Sequence, residues 1–296
     1  MTRDYRGRRV AVSTLHGKAA ALAPALAPLG LRLEAVPIDT DALGTFSGEI
    51  ERVAPAREIV VAKARRGMTA AGLPLGLATE GSFGPDPLLG FLPLHEELLA
   101  FVDDVHGQVL VLEHAGHDTN WRTKAVTPDD DLAPLLAEIG LPTHAALVRP
   151  NVWPQDADPH DMKVPAARRT MPVEKGLRDP ADVAAAVGRI APLSADGRAR
   201  VEADLRAHMN PTRMRVIANL GEQLCDRLST PCPACGVPGF GRVATETGLP
   251  CESCAEPTRL VRAEIHGCGV CDYRVSRPRI DGRVSAEAGH CDECNP

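Results

Sequence analysis

Apolar and polar positions alternate and cluster along the first two thirds of the chain in a way that predicts its elements. Residues 9–14 read as a short buried strand, and Leu15-His16-Gly17-Lys18 as the turn after it. Residues 19–29 form an Ala/Leu-rich helix pattern closed by Gly30, a C-terminal cap residue. Residues 31–38 alternate through Leu31, Leu33, Ala35 and Pro37, a second strand. Strand, helix, strand predicts a parallel pair joined by a right-handed crossover. A helix is expected from about Gly48, and Pro55 stands where a new one begins, continuing over 56–66. Residues 73–79 make a third strand, followed by the polar, Gly-containing turn 80–85. Residues 97–103 and 108–113 pair as a hairpin, which makes the sheet mixed.

Beyond the hairpin the pattern predicts a helix over 130–140, a strand over 145–148 and a long loop over 150–175. Asp179-Pro180 and Asn210-Pro211 are cap-plus-proline starts of helices reaching about Ile190 and Leu228. A further helix is expected over 196–208. Met214, Ile217, Leu220 or Gly221, Leu224 and Leu228 make one apolar face of the last helix. The fold class expected is α/β: a mixed sheet flanked by helices over 1–190, a helical extension over 191–228 and a small metal-bound module over 229–296.

Composition changes this picture in two ways. Aromatic residues are 3% of the 296, so Ala, Leu and Val must fill the core. A formal charge of -6 gives no general attraction to nucleic acid or to an anionic membrane. No apolar run reaches the length of a membrane span, and the Ala-rich stretch after the basic start is interrupted by His16 and Lys18. The expected location is the cytoplasm, and a homodimer is compatible with the pattern.

The nine cysteines are absent from the first 224 residues, and eight of them form Cys-x-x-Cys pairs after residue 230. Cys232 and Cys235 precede Cys251 and Cys254 by fifteen intervening residues; Cys268 and Cys271 precede Cys291 and Cys294 by nineteen. These spacings are those of tetrahedral thiolate sites for zinc in a reducing compartment. Two structural zinc sites are expected, although iron would fit the same ligands, with sequential pairing preferred and a cross-braced arrangement left open. Cys225, the odd one, fits a buried helix position. The tail from Ser229 on has seven arginines and no lysine against nine acidic residues. Only Arg274, Arg277, Arg279 and Arg283 cluster, so nucleic acid is an available but unfavoured partner.

Candidate chemistry lies at the ends of the first three strands. The stretch 39–52, DTDALGTFSGEIER, crowds carboxylates and hydroxyls onto a Gly-punctuated turn. Thr45 or Ser47 there can equally cap a helix, with Glu49 in its first turn. Thr14, His16 and Lys18 follow the first strand, and Glu80 and Ser82 follow the third. In a parallel sheet such turns gather at the carboxyl ends of the strands. Lys18 near a helix start suits phosphate, and Glu49 and Glu80 suit Mg²⁺ held with substrate phosphates. Asp41, Glu49 or Glu80 could orient a water. His114, His117 and Asp118 make a second, weaker metal candidate, and Arg122, Lys124 and Lys175 could reach an anion.

Thr14-Leu15-His16-Gly17-Lys18 resembles the Thr-x-Asn-x-x-Lys opening of the inosine/xanthosine triphosphatase superfamily. Gly44-Thr45-Phe46-Ser47-Gly48-Glu49, followed by Ala62-Lys63-Ala64, resembles its Gly-x-Thr-Phe…Lys-Ala segment, and Glu80-Gly81-Ser82-Phe83-Gly84 stands where that superfamily has an acidic turn. His16 departs from the usual Asn, and the paired aspartates near the third strand are missing. The resemblance covers roughly 9–150. It implies a mixed α/β fold with a cleft and Mg²⁺-dependent cleavage of nucleoside triphosphates to monophosphate and pyrophosphate. It gives Lys18 the phosphate, and Glu49 and Glu80 the metal. The whole layout, with Cys-Pro-Ala-Cys-Gly and a final Cys-Asn-Pro, is similar to a bacterial domain-of-unknown-function family. The competing expectation is a nucleic-acid or protein adaptor built on the cysteine tail, with a non-catalytic α/β domain.

Overall fold

A computed structural model describes residues 4–38, 54–153 and 171–295. Strand β1 (Arg9–Ser13) leads through α1 (Lys18–Leu26) to β2 (Arg32–Val36), and β1 and β2 pair in parallel. Helix α2 (Ala56–Ala71) returns the chain to β3 (Leu75–Pro85), parallel to β1 on its other side. Strands β4 (Pro93–Asp103) and β5 (Gln108–Gly116) continue as an antiparallel meander. The result is a five-stranded mixed sheet in the order β2-β1-β3-β4-β5.

Strand alternation assigns the two faces of this sheet. Leu75, Leu77, Leu99, Phe101, Leu110 and Leu112 face α1 and the last long helix, α5 (Pro211–Leu228), whose Val216, Ile217, Leu220 and Leu224 complete the main core. Ala78, Ala100 and Val102 face α2 through Val60, Ala64 and Met68. Gly67 lets α2 sit close on β1: a Cβ there would collide with Ser13 Oγ, which donates to Lys63 O at 2.7 Å.

A second, four-stranded antiparallel sheet has the order β6-β9-β7-β8, with β6 Thr123–Val126, β7 Ala146–Pro150, β8 Glu174–Leu177 and β9 Ala199–Ala203. Helices α3 (Ala133–Ile139) and α4 (Pro180–Ile190) cover it with Leu136, Ile139, Val183, Ala186 and Val187. The cap of α4 is as expected: Asp179 accepts from Ala181 N. The helix expected over 196–208 is instead β9 and a short 3-10 turn, Ala207–Met209. Residues 199–203 alternate buried and half-buried, and the central place between β6 and β7 satisfies both backbone edges. The segment expected as a helical extension thus supplies a strand to one sheet and α5 to the face of the other.

The tail carries a three-stranded antiparallel sheet, β10 (Gly241–Thr247), β11 (Val261–Gly267) and β12 (Arg274–Pro278). Among the described residues no helix is long and apolar enough to cross a membrane.

Candidate functional site

Thr14 closes the turn after β1. Its Oγ1 accepts from His16 N at 3.0 Å and Lys18 N at 3.4 Å, so this hydroxyl shapes the start of α1. The turn aims Lys18 at β3, where Nζ donates to Thr79 O at 3.2 Å. The β1–β3 register, Ala11 with Gly76 and Val12 with Leu77, brings Thr14 level with Thr79. The gathering of the first and third strand ends therefore holds for Thr14, Lys18 and Glu80. Glu80 differs in one respect: it lies inside the eleven-residue β3, which continues to Pro85 because β4 pairs with it along its whole length. Thr45, Ser47, Glu49 and Asp41 lie outside the described residues.

On the α2 face Lys63 Nζ meets Glu80 Oε2 at 2.7 Å, with both side chains buried. Ser82 follows on that face, half-buried. On the opposite face Arg213 makes a two-pronged pair with Glu97, Nε to Oε2 at 2.8 Å and Nη2 to Oε1 at 3.0 Å. Arg213 Nη1 donates to Leu205 O at 2.7 Å, which ties the chain after β9 to the five-stranded sheet. Asn210 caps α5 by accepting from Arg213 N, so the helix start fixes where the guanidinium points. Gly81 is required here, since a Cβ would stand 2.6 Å from Arg213 Nη2 and from Glu97 Oε2. His95 contacts Glu97 Oε2 through Nε2 at 3.1 Å and stacks on Phe83 with ring centroids 4.2 Å apart. Arg213 lies 5.6 Å from the centre of the same ring.

Three cations, Lys18, Lys63 and Arg213, and two carboxylates, Glu80 and Glu97, thus share a dry region, each under one-tenth exposed. Burial lowers the Lys18 pKa to about 7, helped by Arg213 and Lys63 and opposed by Glu97 and Glu80. His16 stacks on His208 at 4.5 Å. Burial, His208 and the nearby Lys18, Arg206 and Arg213 lower its pKa to about 4, so it is neutral at pH 7. A ¹³C-lysine NMR titration should find one lysine, lost in Lys18→Met, with a midpoint near 7. Added inorganic phosphate should move that midpoint upward, because an adjacent anion favours the charged amine.

Other expected residues are placed elsewhere. Arg122 binds Glu138 at 2.9 Å and Trp121 O at 2.8 Å beside the second sheet. Lys175 is exposed on β8, and Lys124 lies on β6. The His114, His117 and Asp118 grouping is taken apart: His114 lies in β5 near His95, His117 Nδ1 contacts Pro93 O at 2.9 Å, and Asp118 lies 3.5 Å from Arg215. Glu97 and Arg213 do not stand out for chemistry in the sequence pattern, and Lys63 enters it only through the family resemblance. Strand alternation carries the signal for Glu97, since it shares a face with Leu99 and Phe101, where a charge needs a partner.

The cysteines form two groups: Cys232, Cys235, Cys268 and Cys271, and Cys251, Cys254, Cys291 and Cys294, with sulfurs within 4.8 Å of one another in each. The first pair joins the third and the second joins the fourth, which corrects the sequential pairing to a cross-brace. The Sγ–Sγ contacts run from 3.6 to 3.9 Å. A zinc tetrahedron with Zn–S of about 2.3 Å has an edge near 3.8 Å, while a disulfide is about 2.05 Å. Both groups could hold zinc. The knuckles repeat a motif, Pro231-Cys-Pro-Ala-Cys-Gly-Val-Pro238 and Pro250-Cys-Glu-Ser-Cys-Ala-Glu-Pro257, each closed by a bridge between its prolines. Gly236 and Ala255 take the same left-handed position, φ 71° and 66°. The β-hairpin β10–β11 separates the first and third pairs and carries the second, which is why the braces cross. Among the described residues these are the groupings of three or more metal-ligating side chains. Cys225 lies in the main core, as expected, and burial pushes its thiol up.

No curated protein and no solved structure matches the chain. A family model described as a domain of unknown function, DUF6671, matches residues 63–296, a span that holds Lys63, Glu80, Glu97, Arg213 and all eight paired cysteines. The chain belongs to the DUF6671 family.

Proposed function

We propose that the region around Lys18, Lys63, Glu80, Glu97 and Arg213 binds a phosphorylated small molecule, a nucleoside triphosphate first among them, and hydrolyses it with Mg²⁺. The observation that carries this reading is the burial of three cations, Lys18, Lys63 and Arg213, around residues 79–81 of β3 just beyond the end of β1, in a region dry enough to lower the Lys18 pKa. A phosphate beside Lys18 would recover the Coulomb energy that burial leaves unspent. The resemblance to the inosine/xanthosine triphosphatase superfamily supports it through Lys18, Lys63 and Glu80, which its motifs bring forward and which lie close together. Magnesium belongs to the proposal alone: Glu80 is engaged by Lys63, and a metal would enter with the phosphates as their counter-ion. The two four-cysteine groups are proposed to hold structural zinc, which staples a module with a small core of its own.

A screen of nucleoside triphosphates with Mg²⁺, detecting pyrophosphate, tests the hydrolase. Lys18→Met and Glu80→Gln should each cut turnover at least a hundredfold while circular dichroism and zinc content stay unchanged. Turnover on no triphosphate would remove the hydrolase reading. Absence of calorimetric binding as well would remove the anion site.

A further inference from the structure

A second positive region lies far along the five-stranded sheet, where the cysteine module meets it. A groove of about 760 Å³ runs between β5, the C-terminal turn of α5 and the tail sheet, which lines it from all three strands through Arg242 of β10, His266 of β11 and Arg277 of β12. Strand β5 is the last in its sheet and β10 is the last in its own, so among the described residues both present unpaired backbone edges. Five residues of each, 109–113 and 241–245, line the groove, a run of about 17 Å at about 3.4 Å per residue.

Four arginines, Arg57, Arg227, Arg242 and Arg277, line it against the acids Glu113 and Asp226. Arg57 pairs with Glu113, and Arg242 approaches Glu264 at 3.4 Å. Arg277 lies 6.0 Å over the Phe240 ring, and Arg227 Nε donates to Gly239 O at 3.1 Å. Burial, with Arg242 and Arg57 nearby, holds the Arg227 pKa below its ordinary value. This positive sign is local, since the chain as a whole carries -6. At the head of β5 the buried Gln108 amide has neither polar atom partnered among the described residues; it packs against Gly269, which lines the groove.

We propose that an extended acidic segment of a partner polypeptide docks in this groove. It adds a strand to the outer edge of β5, and its carboxylates meet Arg227, Arg242 and Arg277. A strand edge alternates donors and acceptors, and a polypeptide backbone answers both, whereas phosphates only accept. The exposed Val109 on this edge, with no lysine or proline in 109–113, leaves the edge open to pairing.

Fluorescence anisotropy with the zinc-loaded full chain tests this, using a labelled Glu-Val-Glu-Val-Glu-Val-Glu peptide. Binding should weaken with salt and fall at least tenfold in Arg242→Glu/Arg277→Glu, both positions being exposed and outside the main cores. A peptide N-methylated at one set of alternate residues should lose binding, while the peptide methylated at the other set keeps it, because a strand on one edge uses every second amide. The proposal is overturned if the acidic peptide does not bind, if the charge-reversed variant binds it equally, or if both methylation patterns are tolerated. It is overturned in favour of nucleic acid if heptathymidylate binds more tightly. It is overturned in favour of a second copy if sedimentation shows a dimer that the variant dissociates.

Discussion

Glu97→Leu is expected to lower the melting temperature by roughly 10 °C, corresponding to about 3–5 kcal/mol for an uncompensated buried charge. Arg213 is 1% exposed and its guanidinium faces Glu97 with two hydrogen bonds. Removing the carboxylate leaves that cation in a dry region shared with Lys18 and Lys63. The double variant Glu97→Leu/Arg213→Met should be milder than the single one, because both charges leave together. Scanning calorimetry at pH 7 measures both. A single variant no worse than Arg9→Ala, whose pair with Glu34 is exposed, would show that the buried pair contributes nothing beyond surface charge.

The same pair sets a pH dependence. Burial alone would raise the Glu97 pKa, but the Arg213 charge, the hydrogen bonds from His95 and Arg213, and the Lys18 charge together hold it well below the usual carboxylate range. The folded value lies below the unfolded one, about 4.3. The contribution is therefore complete above about pH 4.3 and is lost as pH falls further below it. The stability difference between wild type and Glu97→Leu should narrow on acidification below about pH 4.3.

The second large effect concerns the cross-brace. Purified wild type is expected to carry two zinc ions per chain, one for each four-cysteine group. Cys232→Ser/Cys268→Ser removes ligands from one cross-braced site, so about one zinc should remain. Sequential pairing would put those cysteines in different sites, and both ions would be lost. Zinc content by mass spectrometry separates the arrangements directly. Chelation of both ions should unfold the tail, since the metal supplies on the order of 10 kcal/mol in comparable small domains. The core that would remain there is little more than Phe240 and the cysteines themselves.

Legibility followed the range of the interaction. The β1–α1–β2 unit, the β4–β5 hairpin and the capped starts of α4 and α5 are encoded in neighbouring residues: alternation, Gly30, Asp179-Pro180 and Asn210-Pro211. The strand β9 reads locally as helix because five residues between two turns carry little periodicity, and the partners that make them a strand are β6 and β7, more than forty residues upstream. The extension of β3 through Glu80 is hidden for the same reason: Gly81 and Gly84 read locally as a turn, and only pairing with β4 keeps them extended.

The candidate site divides the same way. Lys18 is legible as a cation at the start of a helix, and the eight cysteines as two thiolate sites, because both are matters of residue type and spacing. Glu97, His95 and Arg213 are not, since Arg213 reaches Glu97 across 116 positions of sequence. By itself the sequence determined that the eight paired cysteines could bind zinc, the locally encoded strands and helices, and the acidic charge of the whole. Tertiary structure alone decided which cysteine pairs share a site, which carboxylate meets which cation, and where arginines outnumber acids in a groove. Those outcomes depend on distances between segments far apart in the chain, and a charge's behaviour depends on how much water its neighbours leave it.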